Sequence, residues 1–132
     1  MKKILFLCTG NSCRSQIAEA WARSMGFNAY SAGTRPEKKI SKNTKLVMLE
    51  EGIDISMQYP KSINDINLEE INILITVCSN AEKNCPILTD FRGKIIRLEF
   101  EDPTKVKLSE KAKIQFFRKI RDEIKTSLLL NL

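Results

Sequence analysis

A nearly continuous apolar run at residues 2–7 constrains the fold of this chain more than any other feature. Because it does not alternate polar and apolar residues, it predicts a strand buried on both faces, as in parallel sheets. The run ends in a turn that contains Gly10, and a helical pattern follows with Ile17, Trp21 and Met25 at intervals of four residues. The sequence therefore predicts a strand, a tight loop and a helix in succession.

The remainder of the chain continues this alternation. Further strands are predicted at residues 28–32, 71–77 and 94–100. Ser41 can cap a second helix, and the last helix is predicted at residues 109–130. This order predicts an α/β fold, a single doubly wound domain over residues 1–132 with a four-stranded parallel sheet flanked by helices.

Apolar spacing predicts which side of each later helix is buried. The expected core residues of the second helix are Leu46, Leu49 and Ile53. Those of the last helix are Phe117, Ile120, Ile124 and Leu128.

The amino-acid composition limits which catalytic groups, metal ligands and partners the protein can use. The 132 residues include no histidine, so the usual general base and the commonest metal ligand are missing. The net charge of +6 favours anions in general, and we expect neither nucleic acid nor a membrane as partner. Without a secretory signal or an apolar stretch of about 20 residues, the sequence predicts a soluble cytoplasmic monomer with no cofactor and reduced cysteines.

The loop after the first strand contains a cysteine, five further residues and an arginine. Such a loop can direct backbone N–H groups and a helix N-terminus at one anion, and Arg14 adds a planar fork that matches a tetrahedral oxyanion. The same positive field is expected to lower the pKa of Cys8, and Ser15 is expected to donate to its thiolate. The residues expected to bind the anion are Thr9, Gly10, Asn11, Ser12, Cys13 and Arg14.

Three predicted strands end next to residues with useful chemistry. Cys8, Cys78 and Asp102 follow the first, third and fourth strands. Sites in open parallel sheets form at the carboxyl ends of the strands, so we expect these three side chains to converge.

Residues 8–15, which read Cys-Thr-Gly-Asn-Ser-Cys-Arg-Ser, resemble the signature of the low-molecular-weight protein tyrosine phosphatase superfamily. The resemblance implies the fold, an oxyanion site and a general acid from an Asp-Pro pair, here Asp102 and Pro103. Phosphatases of this superfamily would use Cys8, Arg14 and Asp102 to hydrolyse phosphotyrosine or another phosphomonoester. Thioredoxin-coupled arsenate reductases share the loop, and weak phosphatase activity is expected to persist in them because phosphate and arsenate share geometry.

The second cysteine pair favours the reductases. Cys78 and Cys85 are separated by six residues, and a phosphatase has no need of them. In the mechanism that the resemblance implies, Cys8 attacks arsenate, Asp102 protonates the departing hydroxide, and Cys78 releases arsenite by forming a disulfide with Cys8. Cys85 then takes over the disulfide with Cys78, and thioredoxin reduces it. A buried structural pair and a zinc site that includes Cys8 and Cys13 are the alternatives.

Two further assignments remain open. Cys13 has a packing role or a redox role. Some reductases hold potassium beside the loop, and Asn11, Glu19 and Ser31 match three of their four ligands, whereas Lys61 stands at the fourth. The alternatives for these residues are packing, a potassium site, or a lysine ammonium in place of the cation.

Overall fold

The computed structural model describes residues 2–78 and 91–132. Its centre is a parallel sheet of four strands in the order β2-β1-β3-β4. The strands are β1 (Lys3–Cys8), β2 (Asn28–Gly33), β3 (Ile73–Thr76) and β4 (Lys94–Arg97). The predicted four-stranded parallel sheet is confirmed, although β3 and β4 are shorter than the apolar runs that predicted them.

Three α-helices connect and cover the strands: α1 (Arg14–Ser24), α2 (Lys42–Glu50) and α3 (Glu110–Asn131). Short 3-10 helices, which the sequence patterns did not predict, occur at Ile63–Asp65, Leu68–Glu70 and Pro103–Lys105. Among the described residues, none of the helices is long and apolar enough to cross a membrane.

Each face of the sheet has its own apolar cluster, so the central strand β1 is buried on both sides. Ile4 and Phe6 of β1 pack in the cluster that contains the buried residues of α1, α2 and α3. Leu5 and Leu7 point to the opposite face, where Ile63 and residues of the neighbouring 3-10 helices cover them. This explains the unbroken apolar run of β1, because alternate side chains enter different clusters.

The buried side of α3 is the predicted one, and that of α2 is not. Phe117, Ile120, Ile124 and Leu128 are all buried. In α2, by contrast, Leu46 and Leu49 are 41% and 60% exposed, and Ile53 lies beyond the end of the helix. The buried residues of α2 are Thr44, Val47 and Met48. They lie at positions i, i+3 and i+4, which fits a helical face as well as the predicted set does, and the packing of α2 against α3 selects them.

Candidate active site

Cys8 ends the central strand β1 and is 2% exposed. Its Sγ lies 2.8 Å from Ser15 Oγ, and the backbone N–H of Asn11 donates to the sulfur at 3.2 Å. Ser15 is in the first turn of α1, so its position follows from the short loop between strand and helix. The predicted approach of Ser15 to Cys8 is confirmed, and the sulfur lies within reach of two groups that stabilise a thiolate.

The predicted lowering of the Cys8 pKa is wrong in this conformation. Burial raises the pKa of the thiol above 9.0, and this effect outweighs the others. The hydrogen bond with Ser15, the charge of Arg14 and the N–H of Asn11 all lower the pKa, as predicted from the loop. The sequence identified these groups but gave no measure of how fully the loop is enclosed.

The loop at residues 9–13 is held with its carbonyl groups outward. The carbonyl oxygens of Cys8, Thr9, Gly10 and Ser12 accept hydrogen bonds of 2.8 to 3.2 Å from backbone N–H groups in residues 34–41. In a trans peptide the next N–H points away from the carbonyl, and the described residues contain no cis bond. The following N–H groups therefore point towards the interior of the loop, as that of Asn11 does. This is the arrangement required for an anion cradle.

Two backbone positions allow this tight curl. Asn11 has a φ of 50°, a conformation that asparagine tolerates better than most residues. Gly33, at the end of β2, passes so close to the loop that a Cβ there would lie 2.5 Å from Thr9 O. Any larger residue at position 33 would push the loop out of place.

Arg14 is buried at the start of α1 and contacts the segment that follows β4. Its Nη1 donates to the carbonyl of Phe100 at 3.0 Å, and its Nη2 lies 3.4 Å from Asp102 Oδ2. The other oxygen of Asp102 accepts from the backbone N–H and the hydroxyl of Thr104, at 3.0 and 2.6 Å. The predicted proximity of Asp102 to the loop is therefore confirmed through its contact with Arg14.

The remaining cysteines differ in position. Cys78 follows β3, is 4% exposed, and its thiol lies 3.9 Å from the carbonyl of Leu7, the residue before Cys8. Cys8, Cys13 and Cys78 are all buried. Cys13 packs in the core, and burial raises its pKa to about 12, which favours the packing role. Cys85 lies outside the described residues.

The three residues matched to a potassium site are indeed adjacent. Ser31 Oγ donates to Glu19 Oε1 at 2.7 Å and accepts from Asn11 Nδ2 at 3.0 Å. The ammonium of Lys61 lies 3.9 Å from the same Glu19 oxygen. Burial lowers the pKa of Lys61, whereas Glu19 raises it. Within residues 2–78 and 91–132, no group of three or more cysteine or acidic side chains is placed to hold a metal ion.

Sequence reasoning missed Gln16, which is fully buried beside the loop. Its Nε2 donates to the carbonyls of Asn11 and Tyr59, both at 3.0 Å, and thereby ties the loop to residues 57–61. A polar residue on the buried side of a predicted helix was the available signal, since such residues are nearly always hydrogen-bonded.

Comparisons with known proteins agree with this geometry. An arsenate reductase of Bacillus licheniformis is 43% identical over 126 residues, which cover 93% of this chain and 89% of the relative. A solved structure of an arsenate reductase in the phosphate binding state has a TM-score of 0.76 at 26% identity, over 96% of this chain and 93% of that chain. A thioredoxin-dependent arsenate reductase from Corynebacterium glutamicum has a TM-score of 0.63 at 26% identity, over 100% of this chain and 64% of that chain.

The family comparison covers nearly the whole sequence. Residues 3–130 match the family described as low molecular weight phosphotyrosine protein phosphatase, so the resemblance inferred from residues 8–15 is confirmed. This chain belongs to the low molecular weight phosphotyrosine protein phosphatase family.

Proposed function

We propose that this protein reduces arsenate to arsenite, with Cys8 as the nucleophile and cytoplasmic thioredoxin as the electron donor. The observation that carries the proposal is the position of a second cysteine, Cys78, which is buried at the same edge of the sheet and contacts the residue before Cys8. Arsenate reduction requires two electrons, and two thiols that form a disulfide supply them. The arsenate reductases among its relatives support this assignment.

In the first step, the Cys8 sulfur attacks arsenic in the cradle formed by the loop N–H groups and Arg14. Because burial raises its pKa, Cys8 transfers its proton to an oxygen of the bound arsenate as it attacks, and Ser15 and the Asn11 N–H stabilise the developing thiolate. One hydroxide leaves arsenic with a proton from Asp102, and a sulfur-arsenic bond forms.

In the second step, the Cys78 thiolate attacks the Cys8 sulfur. A disulfide forms, the sulfur-arsenic bond breaks, and its electron pair stays on arsenic, which leaves as arsenite. Cys85 then attacks Cys78, so the disulfide moves to that pair and Cys8 is released. The dithiol of thioredoxin reduces the final disulfide. The relative that is named a thioredoxin-dependent arsenate reductase supports this choice of donor.

Hydrolysis of a phosphomonoester is the competing function, because Cys8, Arg14 and Asp102 suit phosphate as well. The family resemblance implies that a phosphotyrosine phosphatase carries an aromatic residue directly after the Asp-Pro pair. Here Thr104 follows the pair, and its hydroxyl donates to Asp102 at 2.6 Å. This contact holds the acid and offers no surface for an aryl ring.

A coupled assay distinguishes the two functions. The protein is mixed with thioredoxin, thioredoxin reductase and NADPH, and arsenate is added while NADPH absorbance is followed. Consumption that depends on both arsenate and thioredoxin is expected. No consumption, together with rapid hydrolysis of p-nitrophenyl phosphate, would show that the protein is a phosphatase.

A further inference from the structure

We propose that Lys61 is a positioning residue for the nucleophile: its ammonium neutralises the buried Glu19 carboxylate at the far end of a hydrogen-bond chain that ends on the Cys8 sulfur. This role deepens the proposed function and rests on Cys8 being the attacking group. Lys61 lies in the segment between α2 and β3, far from Cys8 in sequence.

The chain of hydrogen bonds has a defined direction. The Ser31 hydroxyl donates to Glu19 Oε1 at 2.7 Å, so its oxygen accepts from Asn11 Nδ2. The second hydrogen of the Asn11 amide goes to Ser15 Oγ, at 2.7 Å. Ser15 therefore keeps its own proton for the Cys8 sulfur, which is 2.8 Å away and can only accept once it is a thiolate. The Asn11 amide therefore donates in both directions along the hydrogen-bond chain, to Ser15 on the Cys8 side and to Ser31 on the Glu19 side.

The backbone of Lys61 fixes the orientation of the Asn11 amide. The Lys61 N–H donates to Asn11 Oδ1 at 2.8 Å, and an amide turned the other way would place two donors against each other. The Lys61 carbonyl in turn accepts from the N–H of Gly33, also at 2.8 Å, which holds this segment against the end of β2. Lys61 thus contacts the hydrogen-bond chain at two residues, Asn11 and Glu19.

The negative charge of Glu19, at the end of the hydrogen-bond chain away from Cys8, needs a nearby cation. Glu19 is 2% exposed, and a buried carboxylate is costly unless a cation pairs with it. Lys61 Nζ lies 3.9 Å from one of its oxygens and Arg23 lies 3.4 Å from the other. The Arg23 side chain is 51% exposed, whereas that of Lys61 is 17% exposed, so solvent screens the arginine more.

The Lys61 ammonium is itself held in place. It donates to the carbonyl of Tyr59 at 3.0 Å and lies 4.7 Å from the centre of the Tyr59 ring. That same carbonyl accepts from Gln16, which also binds the loop carbonyl of Asn11. Without the ammonium, the negative charge of Glu19 would oppose a second negative charge on Cys8 at the other end of the chain.

The test measures the reactivity of Cys8 in the full-length protein. Iodoacetamide is added at one fixed pH, and modification of the Cys8 peptide is followed by mass spectrometry. We expect Lys61→Met to slow this reaction roughly fivefold, and to lower kcat/KM for arsenate by a similar factor. Lys61→Arg keeps the charge and is expected to retain most of the rate. Lys119→Met is the matched control, because it removes an exposed ion pair of 3.8 Å, to Glu123.

A double variant tests whether the effect passes through Glu19. In Lys61→Met/Glu19→Gln both charges are absent, and the Cys8 reaction is expected to recover relative to Lys61→Met. If Lys61→Met alone folds poorly, comparison of the double variant with Glu19→Gln still tests the proposal. An equal loss caused by Lys61→Met in the Glu19→Gln background, or an unchanged rate in Lys61→Met, overturns the proposal. Because the reaction with iodoacetamide needs no arsenate, a failure of arsenate reduction would contradict the proposed function separately.

Discussion

Arg14 Nη2 and Asp102 Oδ2 lie 3.4 Å apart, so the cation proposed to bind the oxyanion also contacts the acid proposed to protonate its leaving group. Arg14 comes from the first strand-to-helix junction, and Asp102 follows the fourth strand. In the proposed mechanism, their contact brings the groups for nucleophilic attack and for departure of hydroxide together at one edge of the sheet. The other oxygen of Asp102 accepts hydrogen bonds from Thr104, so a variant that keeps an acceptor there preserves this contact while it removes the negative charge that faces Arg14.

Asp102→Asn preserves the shape of the side chain and an oxygen that can accept from Thr104. We expect it to slow a single turnover with arsenate by about 100-fold or more, since loss of a general acid typically has this size of effect. Rapid-quench measurement of arsenite release, with protein in excess over arsenate, gives the rate. An unchanged rate in a variant with unchanged thermal unfolding would remove Asp102 from the mechanism.

The Cys13 thiol is expected to be unreactive although it lies between two residues of the active site. Burial raises its pKa to about 12, so the thiol stays protonated at pH 8. In the folded protein, iodoacetamide should modify Cys8 before Cys13, because Cys8 has donors from Ser15 and Asn11. Peptide mapping by mass spectrometry measures both.

In denaturant both cysteines should react at similar rates, which provides the control. Cys13→Ala is expected to retain arsenate reduction. Equal labelling of Cys13 and Cys8 in the folded protein would contradict the packing role.

The ion pairs between α2 and α3 predict a pH-dependent contribution to stability. Glu50 accepts hydrogen bonds from Arg118, the shortest of 2.6 Å, and from Arg121 at 3.0 Å. The hydrogen bond from Arg118 is the main reason that the pKa of Glu50 is lowered from 4.5. A carboxylate with a lowered pKa stabilises the fold above its unfolded-state pKa, and this contribution is lost as the pH falls through the folded-state value.

Glu50→Gln is therefore expected to lower the unfolding temperature at pH 7 by about 2 °C, since the pairs are partly exposed. The difference from the unsubstituted protein should shrink as the pH falls below 4.5. Thermal unfolding followed by circular dichroism at several pH values measures it. A difference that stays constant down to pH 3 would show that the charge of Glu50 contributes nothing.

Features set by local sequence were predictable, and those set by long-range packing were not. The buried stripe of α3 follows from spacing alone, and the approach of Ser15 to Cys8 follows from a short loop between a strand and a helix. In α2, two sets of residues fit the helical spacing equally, and the neighbouring helix determines which is buried. Sequence could not reveal that choice.

The same distinction applies to the site. The groups that lower the Cys8 pKa lie within seven residues of it, so they could be named from sequence. Its enclosure depends on residues 34–41, which bind the loop carbonyls, and on the packed core. The contact of Lys61 with Glu19 crosses more than forty residues; the family resemblance offered it as one of three alternatives, and the fold shows the two side chains together.

The disulfide relay separates the roles of Cys78 and Cys85 by the number of turnovers each variant completes. In Cys85→Ser, one arsenite should be released per protein, because Cys78 still attacks Cys8, after which the protein stays oxidised. In Cys78→Ser, no arsenite should be released even in the first turnover, because no neighbouring thiol breaks the sulfur-arsenic bond. Single-turnover and steady-state measurements of arsenite, combined with mass spectrometry of the trapped disulfide, distinguish the two. Continued turnover by Cys85→Ser at the unsubstituted rate would mean that thioredoxin reduces the Cys8 to Cys78 disulfide directly, and the relay would then end at Cys78.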